Sequence, residues 1–73
     1  MNCNRILDVR GLEPPEPMVR VLEAIDSLLR EEVLCMVHNR EPFPLYPVLA
    51  EQGYAHSTTV NDEGYYEIRI WRR

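Results

Sequence analysis

Apolar positions change their period several times along the chain, and each change marks an element. Arg5 to Val9 is a short apolar run ended by Gly11, which predicts a first strand. From Pro15 onward, Met18, Val21, Leu22, Ile25, Leu28 and Leu29 recur at three- and four-residue spacing, the stripe of an amphipathic helix. Pro15 and Pro17 suit its first turn, where a missing N–H loses no partner. Glu16–Arg20 and Asp26–Arg30 are i,i+4 pairs with the acid first, each adding a few tenths of a kcal/mol. Val33 to Val37 is long enough for a strand and too short for a helix. His38-Asn39-Arg40-Glu41 then forms a polar loop.

A second short helix is expected over Pro42 to Gln52, with Pro44 near its start and an apolar face of Leu45, Val48 and Leu49. Pro47 strains that assignment, because a proline inside a helix costs about 3 kcal/mol unless it falls in the first turn. Gly53 is a plausible stop. Tyr54 to Val60 and Tyr65 to Trp71 alternate around Asn61-Asp62-Glu63-Gly64, the pattern of a hairpin. The order is therefore βαβαββ, and its strand–helix–strand opening is right-handed by the usual chain sterics.

The run Gly11-Leu12-Glu13-Pro14-Pro15-Glu16-Pro17-Met18, read with Leu7-Asp8-Val9-Arg10 before it, resembles the signature of the TusA/SirA-like family. In that family a Cys-Pro-x-Pro motif opens the first helix and its cysteine carries persulfide sulfur. Where the family has the cysteine, this chain has Pro14. The segment His38-Asn39-Arg40-Glu41-Pro42-x-Pro44-Leu45-Tyr46-Pro47 is similar to the second landmark of a cysteine-less branch, domain-of-unknown-function family 2249. The resemblance covers nearly the whole chain. It implies an α+β, two-layer βαβαββ sandwich: a four-stranded mixed sheet with two helices on one face. A single domain over residues 1–73 is expected, with residues 1–4 as a flexible tail. The resemblance brings no settled activity, and loss of the cysteine removes the best-known one, so an enzyme is not expected.

Composition narrows the function classes. At 73 residues the chain buries only about 60% of its unfolded surface, so the core is small. An apolar content of 45% argues against disorder. No stretch approaches the roughly 18 apolar residues of a membrane span. The start, Met1-Asn2-Cys3-Asn4-Arg5, lacks a signal peptide's apolar centre, and a cytoplasmic location is expected. The net charge is −4, and among the basic residues only Arg69, Arg72 and Arg73 cluster, so nucleic acid is not an expected partner.

Cys3 and Cys35 are expected to form neither a disulfide framework nor a metal or redox motif, one lying in the tail and the other in a strand. Either of them as a displaced sulfur carrier is the alternative to a non-catalytic role, and would need an accessible thiolate. No cofactor is implied. A metal shared by His38 and His56 is not expected, because several residues of strand rise separate them.

The loops after the first two strands should meet at one sheet edge, where both helices begin and helix N-termini offer free N–H groups. That gathers Arg10, Glu13, Pro14, Pro15, Glu16, Pro17, His38, Arg40 and Glu41 as the candidate site for a protein partner or small ligand. Arg10 and Arg40 with two helix starts favour an anion, and the three glutamates oppose it. A phosphate lacks a glycine-rich cradle here. If Leu7, Val9, Leu34, Met36, Tyr66, Ile68 and Ile70 face the helices, the open face carries Ile6, Asp8, Val33, Cys35, Val37, Tyr65, Glu67, Arg69 and Trp71. Its apolar centre would suit a homodimer contact.

Overall fold

The computed structural model describes residues 2–73. The elements run β1 (Arg5–Asp8), α1 (Glu16–Asp26), β2 (Val33–His38), α2 (Leu45–Glu51), β3 (Tyr54–Val60) and β4 (Tyr66–Arg72). The expected α+β order is present. The four strands form one sheet in the order β1-β2-β4-β3. β1 lies parallel to β2, while β4 is antiparallel to both β2 and β3, so the sheet is mixed.

One face of this sheet meets both helices. Val21 and Ile25 of α1, Leu45 and Leu49 of α2, and Leu34, Met36, Ile68 and Ile70 of the strands form a single buried cluster. Val9 belongs to it, and Leu7 and Tyr66 pack against it. The strand residues alternate as period 2 requires, which leaves Val33, Val37, Glu67, Arg69 and Trp71 on the open face. Ile6 is 72% exposed there, at the sheet's edge.

α1 is shorter than the apolar stripe predicts. It ends at Asp26, and the Ser27 amide bonds back to the Ala24 carbonyl. The Ser27 hydroxyl also donates to that carbonyl and accepts from the Arg5 guanidinium, competing with helical pairing. Leu28 therefore stays buried as a loop residue, Leu29 turns to solvent, and the expected Asp26–Arg30 pair falls outside the helix. The Glu16–Arg20 pair is present at 3.4 Å. α2 begins at Leu45, which puts Pro47 in the first turn and removes the cost expected of it.

Two expectations about the N-terminus change. Cys3 and Cys35 form a disulfide, 32 residues apart in sequence. The chain entering β1 continues its pairing with β2, with Asn4 N donating to Val33 O at 2.9 Å and Val33 N to Asn4 Oδ1 at 2.7 Å. Cys3 bonds to Cys35, whose register partner on β1 is Ile6. Spacing alone carries no information on such a pairing across strands. The expected tail over residues 1–4 is thus tied to β2 at Cys3 and Asn4, while Met1 lies outside the described residues.

Candidate functional site

β1 and β2 run parallel, so the loops that follow them leave the same sheet edge. Two bonds hold those loops together. Val9 N donates to Val37 O at 3.0 Å, extending the strand ladder by one residue. Gly11 N then donates to the Asn39 side-chain oxygen at 2.7 Å. Gly11 takes φ +81°, a conformation that costs a residue with a Cβ and suits the sharp exit from β1.

Between these loops lies a cavity of about 370 Å³. Pro14, Pro15, Pro17 and Met18 form one wall from the start of α1. Met36 and His38 line it from the end of β2, two residues apart and therefore on the same face of the strand. Arg40, Glu41, Pro42, Pro44 and Leu45 complete it from the loop before α2. Of the nine residues expected at the site, Pro14, Pro15, Pro17, His38, Arg40 and Glu41 meet here. Arg10, Glu13 and Glu16 do not line it.

Arg10 has a partner of its own. Its Nε and Nη2 donate to the two oxygens of Asp8 at 2.9 and 2.7 Å, and its guanidinium lies over the Tyr65 ring. The fork-to-fork hydrogen bonds hold the Asp8 carboxyl at about 2, well under its ordinary range, and raise Arg10 further. Glu16 pairs with Arg20 along α1.

His38 is the polar centre of the cavity. It is only 7% exposed. Its Nδ1 accepts the Asn39 amide at 2.8 Å and the Arg40 amide at a longer 3.5 Å. Backbone amides can only donate, so the imidazole's remaining proton sits on Nε2. Burial first, and the Arg40 charge second, push its pKa below the ordinary histidine value.

Glu41 is steadied from behind. Its Oε2 accepts the Tyr46 hydroxyl at 2.9 Å, and Tyr46 shares a 2.6 Å bond with Thr58 Oγ1. Tyrosine has one proton, so Thr58 donates in that second bond. Burial pushes the Tyr46 hydroxyl's pKa up, and the Glu41 bond adds to the rise. His56 stacks on Tyr46 with ring centres 4.0 Å apart. Among the described residues no three His, Cys, Asp or Glu side chains converge as a metal site.

The helix starts contribute less than expected. Glu16 N donates to Glu13 O, Pro17 has no N–H, and Val19 N reaches Pro15 O. At α2, Leu45 N and Tyr46 N are taken by the Pro42 and Phe43 carbonyls. Sequence reasoning missed Met18, Met36, Pro42, Pro44 and Leu45 as lining. The apolar wall they form could be read from Met36 standing two positions before His38. Cys35 is buried and bonded to Cys3, so neither sulfur is a thiolate in this structure.

A family model described as an uncharacterized conserved protein, DUF2249, matches residues 6–72. No curated protein matches the sequence. The crystal structure of a SirA-like protein from Desulfitobacterium hafniense superposes with a TM-score of 0.80 at 22% identity, over 90% of this chain and 93% of that one. At that identity the likeness establishes a shared SirA/TusA-like fold.

Proposed function

Because the chain belongs to the DUF2249 family and carries the SirA/TusA-like fold, we propose that it is a non-catalytic binding module whose site is the cavity between the α1 and α2 starts. The observation that carries this reading is the cavity itself. Its volume, about 370 Å³, falls at the small end of the roughly 300–1,000 Å³ typical of ligand sites. Its lining combines apolar walls with a few convergent polar groups, the usual composition of such sites.

The lining holds no serine, threonine, cysteine or lysine, and Pro14 stands where the related fold's nucleophile would open the helix. The occupant is a small ligand or an inserted side chain of a protein partner. A cytoplasmic location is part of the same proposal. Among the described residues no helix is long and apolar enough to cross a membrane.

Met18→Trp tests the reading, since Met18 lines the cavity at half-burial and an indole would fill it. Native mass spectrometry of the chain purified gently from its host should show a bound species on the wild type and none on the variant, with thermal midpoints alike. A species retained by Met18→Trp would put binding elsewhere. A bare wild type whose amide signals at residues 14–18 and 36–45 ignore the host's small-molecule extract would end the proposal.

A further inference from the structure

The cavity's donors and acceptors are unequal in number, and that imbalance selects among ligands. His38 Nε2–H has no hydrogen-bond partner among the described residues, although the residue is only 7% exposed. Among the described residues no side-chain nitrogen or oxygen is both fully buried and unpaired, so Nε2 keeps some accessible surface, and His38 lines the cavity. Arg40 also lines the cavity, and its guanidinium has neither an ion-pair nor a hydrogen-bond partner among the described residues. The Met18 amide is a third donor left over. It is neither removed by proline nor satisfied by a loop carbonyl, unlike its neighbours in the first turn of α1.

On the acceptor side only Glu41 offers a charged oxygen, and Tyr46 already donates to it. Everything else facing the cavity is proline, methionine or leucine.

We propose, resting on the reading of the cavity as a binding site, that its ligand is a small carboxylate with a compact apolar body. The carboxylate accepts from His38 Nε2–H and the Arg40 guanidinium, and the hydrocarbon part lies against Met18, Met36 and Leu45. A cationic donor with no partner calls for an anion, because a carboxylate bound to it forms the stronger, charge-assisted kind of hydrogen bond. A phosphate fits less well: its larger charge and additional oxygens would meet apolar walls after these few donors were used. A primary amine would face Arg40 and His38 with only a shared Glu41 to accept it.

The test titrates the full chain, at neutral pH, with hexanoate, hexan-1-ol, hexylamine and inorganic phosphate. Heat and the signals of the His38 ring and the methionine methyls are followed together. Hexanoate should move those signals and bind about tenfold or more tighter than hexanol, the scale of a hydrogen bond to a charged group. Arg40→Gln, at an exposed position, should keep the fold and erase most of that preference. His38→Phe should abolish hexanoate binding. Hexanol or hexylamine binding as tightly as hexanoate would overturn the carboxylate assignment while leaving the cavity a binding site. Phosphate displacing hexanoate from the same signals would overturn it likewise. If none of the probes moves the cavity signals, the carboxylate assignment falls, while the binding reading stands or falls on the Met18→Trp comparison.

Discussion

His38 couples the site's chemistry to the fold's stability. Its ring is neutral because burial and Arg40 disfavour the imidazolium, and because Nδ1 is committed to backbone amides. In the unfolded chain the same ring ionises at its ordinary value of 6.5. Below that pH the unfolded state binds a proton that the native state binds less readily. The His38 contribution to stability is therefore present above pH 6.5 and lost as pH falls through the native value. A ring C–H titration by NMR should give a His38 midpoint below 6.5, and urea midpoints should fall over the same interval. A midpoint at or above 6.5 would show that neither burial nor Arg40 disfavours the imidazolium in the native state. Asp8 acts in the same direction at lower pH, where protonation near 2 breaks its fork with Arg10. At this scale the sequence named His38, Arg40 and Glu41, but not which ring nitrogen faces the cavity. Nor could it say that Arg10 belongs to Asp8, since a pairing two residues apart depends on strand-end geometry.

The elements were legible where period and punctuation agree. The β3–β4 hairpin is the best case, because its loop supplies its own bonds. Asn61 Oδ1 accepts the Glu63 and Tyr65 amides at 3.0 and 2.9 Å, and Gly64 takes φ +88°. Asn61→Ala removes these two bonds together with the longer Asn61 Nδ2 donation to Glu67 Oε2 at 3.4 Å. Loss of the two amide bonds alone should cost about 1–3 kcal/mol, at roughly 0.5–1.5 per net hydrogen bond. Urea unfolding measures this, and an unchanged midpoint would show that water replaces the side chain without loss. Boundaries were less legible at α1. Its apolar stripe continues through Leu28 and Leu29, yet Ser27 ends the helix by bonding its own backbone and Arg5. A pattern of apolar residues cannot report a hydroxyl's choice between solvent, helix and a distant arginine.

Across the whole molecule, the Cys3–Cys35 bond fastens the N-terminus over the open face of a small sheet. Closing a loop of 32 residues restricts the unfolded chain by about 3–4 kcal/mol in the chain-entropy account, large for a core of this size. Cys3→Ser should lower stability by about that amount in non-reducing buffer and by little once the wild type is reduced. Equal midpoints for the two chains without reductant would show that the bond contributes nothing. The same pair bears on location, since disulfides are rare where thiol buffers keep cysteines reduced. A chain resident in the cytoplasm should yield two alkylatable thiols after acid trapping. Finding none would contradict the proposed location.

The apolar periods, the two proline-rich loops and the glycine stops determined the element order. The family resemblance extended that order to a mixed sheet with both helices on one face, because fold follows from which faces must be buried. Those same positions place six of the cavity's lining residues, Pro14, Pro15, Pro17, His38, Arg40 and Glu41, at one sheet edge. Tertiary structure alone decided the pairings: Cys3 with Cys35, Arg10 with Asp8, Tyr46 with Glu41, and Gly11 with Asn39. Each depends on distances and directions between side chains that one-dimensional spacing does not encode. The cavity is of the same kind, since its shape is the space those pairings leave open.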